Sequence, residues 1–598
     1  MITETAIPEG KQDGFLSCEG GVDSGRDPSL LPANMVAEAV NATFRGGMPK
    51  PRPGVNRINL AYESSAVEAL FSGGRFQGAG GYVALDGSLY ITLSISGEII
   101  SIPLGSSTIT ATKLSLGTGV NDNSPVLRKA WFVQADQYQI IQDGQSRPII
   151  WDGAGVRRAY RNEVPTGGPM AYGLGRLWVG RGRDFVGGDI IYGDPAFGTA
   201  NVLRFTDNDV IAEGGAFTVP WQSGEVTGLS FSAKTDTASG EGSLMVFTAN
   251  GVFEFDAPTD RTQWQNLQQP IQRFALLRNG AESHESITQV NGDLFFRSTD
   301  GIRSFYFARR DWNTWANTPV SREVEPIMSH DDRGLLYWSS SINFDNRLIT
   351  TTNPVATERG VVWRSCVALD FDLVSTIKQK VPPAWDGKWV LTDRVLQLVT
   401  VQNIDGIRAF VIGLDENDYI GIWEITRDEW TDDGADIQWE LVTKSYQFDL
   451  PLTLKILKSA EMWMSELSGN VAIDAFYKSD VKGCWSPWAR WAQNFDVCKS
   501  VPNRATGCLP TLFSKPPVKT RVALPEPEVD PTTVCGSLPY PSTNGYEFQV
   551  RLKMTGHLKM RKLRVLADER FENEFGEIDP DCDTTNLVQN ECEACSNA

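Results

Sequence analysis

The segment GSLMVFTANGVFEFD, residues 242–256, carries the pattern that decides the fold. Two runs rich in apolar, β-branched and aromatic side chains flank the dipeptide Asn250-Gly251. Asn-Gly between such runs is a strong hairpin signal, because both residues tolerate the positive φ of a tight turn between twisted strands. The same unit returns in LDGSL, residues 85–89, and in STDGIR, residues 298–303. The sequence therefore predicts a chain built from β-hairpins.

Units of this kind recur over several hundred residues, whereas amphipathic helical patterns are scarce. The two exceptions are short: NMVAEAV, residues 34–40, and SREVEPIM, residues 321–328, are each expected to form a helix. A propeller blade takes about 40–50 residues, so the length of the hairpin-rich region predicts about six or seven blades. We therefore predict an all-β fold: a β-propeller of six or seven blades, an additional antiparallel β-sandwich or platform domain, and an extended N-terminal arm.

Composition shifts along the chain predict four parts. Residues 1–65 are assigned to the N-terminal arm and short helix, and residues 66–430 to the propeller. Residues 431–570 have the alternation of a separate antiparallel sheet, the β-sandwich or platform domain. A Pro- and Cys-rich stretch at about 484–540 within it is expected to be an exposed loop, and 571–598 is an acidic C-terminal tail with little to bury.

The charge balance bears on the classes of partner. The 598 residues carry a formal net charge of −19. Affinity for a polyanion comes mainly from Lys and Arg neutralising phosphates, so this balance argues against tight general binding of nucleic acid. It leaves open a nucleic acid that passes by without being held. The sequence contains no run of about twenty apolar residues, so no transmembrane helix is predicted. The first residues lack the pattern of a secretory signal, so synthesis in a cytosol is expected.

The nine cysteines are unevenly placed. Cys18 and Cys366 stand alone. The other seven lie near the C-terminus: Cys484, Cys498, Cys508, Cys535, Cys582, Cys592 and Cys595. CEAC, residues 592–595, has metal-ligand spacing, but no second pair or nearby His completes four ligands. We expect free thiols, or disulfides formed after release into an oxidising medium, and no metal.

Motifs of enzyme chemistry are not found in the sequence. The three histidines, His284, His330 and His557, are far apart, and His284 is interpreted as a polar residue in a turn. No nucleophile elbow, HExxH or Walker loop occurs. Asp415, Asn417 and Asp418 fit a solvated hairpin turn better than a calcium loop, since they lack its Gly and terminal Glu. We therefore predict no catalytic, cofactor-binding or metal-binding residue and no cofactor.

The stretch NATFRGGMPKPRPGVNRI, residues 41–58, places Arg45, Lys50 and Arg52 among glycines and prolines. It lacks the helix N-terminus that phosphate sites use, so we interpret it as an arm and not as a phosphate loop. The prolines keep such an arm extended. Its arginines can make bidentate contacts to carboxylates on the same or an adjacent subunit.

The segment GGVDSGRDPSLLPANMVAEAVNATFRGGMPKPRPG, residues 20–54, resembles the opening of the tail nozzle proteins of short-tailed bacteriophages, also described as tail tubular or packaged-DNA stabilisation proteins. The matching positions are Gly20, Gly21, Arg26, Pro28, Leu31, Pro32, Asn41, Arg45, Gly47, Arg52, Pro53 and Gly54. IIYGDPAFGTANVLRFTDND, residues 190–209, is similar to the segment that begins a central blade in these proteins. The Cys-rich loop and the acidic tail depart from the resemblance.

The resemblance implies a non-enzymatic structural protein of the virion tail, made in the host cytoplasm. It would form a hexamer below the portal and the adaptor, or head-to-tail connector, ring. Double-stranded DNA would pass through its lumen without sequence-specific binding, and an acidic lumen would let the duplex slide. Tail fibres or a tail tip protein, and the host cell envelope at infection, are the further partners implied.

Eight residues are candidates for assembly contacts: Arg26, Arg45, Lys50, Arg52, Trp485, Trp488, Lys559 and Arg561. Alternation in HLKMRKLRVLADE, residues 557–569, sends Lys559 and Arg561 to one strand face, where they meet an acidic partner ring, DNA or only solvent. Trp485 and Trp488, in CWSPWARW, alternate between a core face and an interface. The alternative function is a host-surface tail protein that binds or hydrolyses glycans, with these tryptophans as the stacking surface.

Overall fold

The structure is a computed structural model that shows a nearly all-β chain. It describes residues 11–105, 109–117, 123–126, 129–181, 190–194, 202–205, 216–233, 241–256, 272–277, 279–305, 319–372, 382–403, 406–427, 429–480, 485–495, 520–527 and 543–570. The chain divides into two compact units. The ribbon unit comprises Met1–Gly54, Leu369–Trp389 and Asp428–Ala598, and the hairpin unit comprises Val55–Ala368 and Val390–Arg427. The stretch predicted as an N-terminal arm thus shares a unit with the C-terminal strands.

The hairpin unit consists of successive antiparallel sheets, with strands numbered along the chain. The first sheet contains β7 (Leu60–Tyr62), β8 (Phe76–Val83), β9 (Leu89–Ile95), β10 (Glu98–Pro103) and β11 (Ile109–Lys113), with β7 parallel to β11. The second contains β12 (Trp131–Ala135), β13 (Tyr138–Gln142), β14 (Ile149–Trp151) and β15 (Val156–Arg158). The third contains β16 (Met170–Gly173), β17 (Arg176–Gly180), β18 (Ile190–Tyr192) and β19 (Ala216–Phe217).

Four more groups of strands complete this unit. They are β20 (Val226–Ala233), β21 (Glu241–Thr248), β22 (Gly251–Phe255) and β23 (Gln272–Leu277); then β24 (Thr288–Val290), β25 (Asp293–Ser298) and β26 (Gly301–Ser304); then β27 (Ser341–Phe344), β28 (Arg347–Thr357) and β29 (Gly360–Asp370); and last β31 (Val395–Asn403), β32 (Gly406–Leu414) and β33 (Ile420–Ile425). The last group gains a further strand from early in the chain, because β6 (Val55–Arg57) pairs antiparallel with β33.

The hairpins predicted from turn dipeptides are confirmed. The Asp86-Gly87 turn joins β8 to β9, Asn250-Gly251 joins β21 to β22, and Asp300-Gly301 joins β25 to β26. Gly87 has φ +84° and Gly301 has φ +137°, which are values that side chains with a Cβ rarely adopt. Turn chemistry therefore fixes these connections locally.

Neighbouring sheets of the hairpin unit contact each other along the chain. β8 contacts β12, β12 contacts β16, β16 contacts β20, β24 contacts β27, β27 contacts β31, and β31 contacts β8. Side-chain amides link some of these strands. Gln397 both accepts from the Ala79 N–H and donates to its carbonyl, at 3.0 Å in each case, and Gln134 bonds Val83 in the same two-way manner.

Helix α1 (Ser65–Gly73) was not predicted. Ser64 caps it by accepting from the Val67 N–H, and Val67 and Phe71 are buried in the core of the first sheet. The helix predicted over 321–328 is confirmed as a 3-10 turn, Val320–Val324, followed by α2, Glu325–Met328. Further 3-10 turns are Pro28–Leu30, Trp221–Ser223, His284–Ser286 and Arg333–Trp338.

The ribbon unit is built from strands distant in sequence. They are β1 (Lys11–Phe15), β2 (Gly21–Val22), β3 (Met35–Val40), β4 (Ala42–Thr43), β5 (Lys50–Pro51), β30 (Ala384–Trp389), β34 (Thr431–Asp432), β35 (Ala435–Asp436), β36 (Gln438–Thr443), β37 (Lys455–Ser479), β38 (Ser486–Phe495), β39 (Thr520–Leu524), β40 (Asn544–Gly545) and β41 (Phe548–Glu569). The 25-residue β37 and the 22-residue β41 pair along nearly their whole length. β1 and β36 also pair with β41, and β38 and β39 with β37.

The helix predicted at residues 34–40 is wrong, because these residues form β3. Its strand pairs antiparallel with β36, with Val36 opposite Thr443 and Val40 opposite Glu440. Val36, Ala37 and Ala39 are buried there. Pairing with a distant strand overrides the helix propensity of the alanines, which is a weak preference.

Candidate functional site

Arg45 is held by a buried carboxylate of its own chain. It follows β4, and its Nε and NH2 groups each donate to one oxygen of Asp370, at 2.9 Å. Asp370 is fully buried at the end of β29, and Asp372 lies 3.9 Å from a third guanidinium nitrogen. Gly46 and Gly47 follow with φ of +83° and +75°, so the chain turns back immediately after Arg45.

Arg52 makes a second contact of this type, deeper in the ribbon unit. Only 1% of the residue is exposed, and its guanidinium donates to both oxygens of Asp432, at 2.9 and 2.8 Å. It also donates to the Asn41 side chain and to the Pro53 carbonyl. The bidentate contacts expected of Arg45 and Arg52 are therefore confirmed, on carboxylates of the same chain. Their role at a subunit interface stays a prediction.

Lys50 contacts an aromatic pair. Its Nζ lies 4.8 Å from the centroid of the Trp430 ring, on which the His557 ring is stacked at 4.8 Å and 25°. The Met560 N–H donates to the Pro49 carbonyl at 2.9 Å and fixes the segment against β41. Burial, together with the charges of Lys50 and Lys559, lowers the pKa of His557 to about 4, against the opposing charge of Glu466. His557 is therefore neutral at pH 7.

The cations of β41 follow the predicted alternation. Arg551, Lys553, Lys559 and Arg561 occupy alternate positions that stay partly or fully exposed, while the even-numbered residues between them are buried. Several face carboxylates of neighbouring strands: Arg551 binds Glu440, Lys559 lies 3.6 Å from Glu466, and Arg564 lies 2.6 Å from Glu461.

The strand pairing is irregular at Arg561. Trp463 of β37 lies opposite Lys562, and the next residue, Met464, lies opposite Met560, so that Arg561 is an extra residue in a β-bulge. Arg561 and Lys562 are consequently both partly or fully exposed although they are consecutive. The guanidinium carbons of Arg521 and Arg564 lie 5.5 and 5.7 Å from the Trp463 ring centroid. We call the set Arg521, Lys559, Arg561, Lys562 and Arg564 the cationic patch.

The two tryptophans predicted at an interface have different surroundings. Trp488 is 9% exposed, donates its Nε1 hydrogen to the Pro525 carbonyl at 2.7 Å and packs edge-on against Tyr477. Trp485 is partly buried against Leu31, Ala37 and Val442. Trp488 therefore occupies the core face in the alternation expected of this segment. Arg26 is mostly exposed and forms an ion pair with Asp23 at 3.0 Å.

A buried charged cluster in the hairpin unit was not predicted. Lys129 is 6% exposed and lies just before β12; its Nζ is 2.5 Å from the Glu285 carboxylate. The same Nζ donates to the Ser283 hydroxyl at 3.1 Å and to the Tyr337 carbonyl at 2.8 Å, and it lies 4.3 Å from the Tyr337 ring. Ser283 and Glu285 precede β24, and Tyr337 precedes β27. The cluster joins the approaches to three different sheets.

Burial shapes the protonation of this cluster. It lowers the pKa of Lys129, although Glu285 opposes the shift. Burial alone would raise the pKa of Glu285, but the charges of Lys129 and His284 lower it below its ordinary value. Burial lowers the pKa of His284, whose Nδ1 accepts from the Leu229 N–H at 3.4 Å. The Lys129 ammonium is thus engaged by protein atoms and not presented to a ligand.

The two aspartates that were weighed as calcium ligands bind arginines. Asp415 and Asp418 lie in the turn between β32 and β33, as predicted; Asp415 binds Arg57 at 2.6 Å and Asp418 binds Arg394. Across the described ranges, no group of His, Cys, Asp and Glu side chains has the arrangement of a metal site. Within the same part of the chain, no helix is long and apolar enough to cross a membrane. His330 lies exposed after α2.

Cys18 and Cys366 are buried free thiols, and burial raises the pKa of Cys18. The other seven cysteines, the CEAC motif, most of the loop at about 484–540 and the tail at 571–598 lie outside the described residues.

No family model matches the chain, and no curated protein matches it. Among solved structures, BamB from Moraxella catarrhalis matches at a TM-score of 0.30 and 11% identity, over 59% of this chain and 83% of BamB. The computationally designed Ika8 protein matches at 0.30 and 12%, over 62% and 100%. Trypanosoma rangeli sialidase matches at 0.30 and 11%, over 87% and 97%. BamB and the sialidase are β-propeller-like neighbours, in agreement with an all-β chain of many sheets.

Proposed function

We propose that this protein is a structural subunit of a bacteriophage tail, a nozzle protein that forms a hexameric ring below the adaptor and conducts double-stranded DNA. In this proposal the hairpin unit is a closed seven-bladed propeller, the ribbon unit mediates assembly, and no step of catalysis is involved.

The observation that carries the proposal is that several residues on which the resemblance rests lie together and form hydrogen bonds. Arg52 donates to Asn41 and to Asp432, and the Asn41 side chain donates to the Gln438 carbonyl at 3.0 Å. A Cβ on Gly54 would lie 2.1 Å from the Thr431 carbonyl oxygen, so only glycine fits there. Residues matched to the nozzle proteins by sequence thus belong to one hydrogen-bonded cluster. This supports the proposal that the sequence match reflects a shared local structure.

Two features support the closed propeller. The sheets contact one another in succession, from β8 through β12 and β16 to β20, then from β20 to β25 and from β24 through β27 to β31, and β31 returns to β8. The last group is completed by β6 from near the start of the chain, which fastens the two ends of such a ring together. A ring closed in this manner leaves few sheet edges open to unwanted pairing.

The Lys129 cluster favours a structural protein over an enzyme as the function. An active site presents shifted acids and bases to a substrate, usually in a cleft. Here the ammonium, the Glu285 carboxylate and the Ser283 hydroxyl bond one another, and Ser283 is fully buried. Such a cluster fixes neighbouring sheets in place.

The test is the mass and shape of the purified full chain by native mass spectrometry and negative-stain microscopy, alone and with portal–adaptor complexes. We expect rings of six subunits with a central channel, or incorporation beneath the adaptor. The variant Arg52→Gln should assemble poorly, whereas Arg157→Gln, which breaks an ion pair with Glu163 in the hairpin unit, should assemble normally. A chain that stays monomeric, joins no portal–adaptor complex and cleaves or binds a host glycan would contradict the proposal.

A further inference from the structure

The cationic patch contains charge that its own neighbours do not balance. Glu461 accepts from both Arg521 and Arg564, and Glu466 pairs with Lys559. Among the described residues, Arg561 and Lys562 form no ion pair or side-chain hydrogen bond, although the β-bulge exposes them side by side. The patch therefore presents five cations against two carboxylates on a chain whose net charge is −19. Such an excess fits an anionic partner.

The sequence that follows β41 has the opposite charge. Residues 571–598 contain eight Asp and Glu residues and no Lys, Arg or His. Four of the carboxylates, Glu577, Asp579, Asp581 and Asp583, are spaced by two. In an extended segment this spacing puts all four on one face. The cations Lys559 and Arg561 have the same spacing on β41.

We propose that residues 577–583 of the chain's own acidic tail bind across the cationic patch. The tail leaves β41 at Arg570, nine residues beyond Arg561, which is about 30 Å along a strand. From Arg570 to Asp583 an extended chain can span roughly 40–45 Å, so the carboxylates reach the patch with length to spare for a reversal.

Because the acidic tail is joined to the same chain as the patch, its binding is favoured over that of a separate anionic molecule. A segment joined to the same strand acts at an effective concentration in the millimolar range, without the cost of bringing two molecules together. Each exposed ion pair is weak, so the contact is held by several pairs at once and is screened by salt. The tail would thus cover the patch in the free protein and yield it to a stronger polyanion. This inference does not depend on the proposed role in a virion.

The direct test is zero-length carbodiimide crosslinking of the full chain under reducing conditions, followed by peptide mass spectrometry. We expect amide bonds from Lys559 or Lys562 to Asp579, Asp581 or Asp583 within monomeric chains, and their decrease in high salt. Crosslinks from these lysines to other carboxylates only, or only between different chains, would overturn the proposal.

A binding test uses heparin as the polyanion probe. Asp579→Asn/Asp581→Asn should expose the patch and tighten heparin binding several-fold, up to about tenfold, at low salt. The matched control Glu591→Gln/Glu593→Gln also removes two tail carboxylates spaced by two, and it should leave binding nearly unchanged. Adding Lys562→Gln to the first variant should reverse the gain. Equal effects of the two tail variants would overturn the proposal, because charge loss alone would then explain the result.

Discussion

Lys129 and Lys562 carry the same ammonium group in opposite surroundings. Lys129 is buried in the hairpin unit, where a carboxylate, a hydroxyl and a carbonyl accept its hydrogen bonds. Lys562 is exposed on the ribbon unit beside a β-bulge. Desolvation makes a buried charge depend on every partner, whereas water and salt replace the partners of an exposed one. The same residue type is thus structural in one unit and available for binding in the other.

The largest effect is expected from breaking the buried side of this comparison. Lys129→Met leaves Glu285 buried without its cation and should lower the free energy of unfolding by about 3–5 kcal/mol. Urea unfolding followed by tryptophan fluorescence measures this. The double variant Lys129→Met/Glu285→Gln should recover part of the loss, and Lys562→Met should change the value by no more than about 0.5 kcal/mol. Similar losses of unfolding free energy for Lys129→Met and Lys562→Met would contradict the distinction between a structural and an exposed lysine.

Arg52 tests whether burial has the same consequence in the ribbon unit. Arg52→Gln leaves Asp432 and Asn41 without their donors and should cost about 2–4 kcal/mol of unfolding free energy. Arg52→Lys should also be destabilising, because an ammonium cannot reproduce the bidentate geometry. The exposed control is Arg561→Gln. A stable Arg52→Lys variant would show that the positive charge alone, and not the bidentate guanidinium geometry, stabilises the contact with Asp432.

His557 extends the comparison to pH. Its pKa is lowered to about 4, so the unfolded chain, with an ordinary histidine pKa near 6.5, binds the proton more readily. Stability from this residue is therefore complete above about pH 6.5 and is lost as the pH falls toward 4, by about 3 kcal/mol. Unfolding curves across this range measure the loss. In His557→Gln the slope between pH 6.5 and 4 should be shallower, and an unchanged slope would assign it to other groups.

The smallest of these losses of stability is expected from a substitution at Trp488. Trp488→Phe keeps most of the buried ring but leaves the Pro525 carbonyl without its donor, so a loss of about 1 kcal/mol is expected. Trp485→Phe in the partly buried neighbour should cost less. Thermal unfolding of both variants compares them, and a larger loss for Trp485→Phe would reverse the assignment of core and surface within this segment.

Local chemistry explains which features could be predicted from sequence. The Asp86-Gly87 and Asn250-Gly251 turns are encoded by adjacent residues, and the alternation of Lys559 and Arg561 by a period of two. The strand at 35–40 was missed because its partner, β36, lies some four hundred residues away along the chain. No local pattern joins Lys129 to Glu285 and Tyr337, so this cluster could be found only from the folded chain.

The pairing of β6 with β33 also bears on how the chain is made. The residues of β6, 55–57, leave the ribosome long before those of β33, 420–425. At about 5–20 residues per second, roughly 20–70 seconds separate the two events. During that interval the early strand has an unpaired edge, and the last sheet is incomplete. Completion of the hairpin unit is therefore a late event in synthesis, and a chain truncated before residue 420 would leave β6 without its partner.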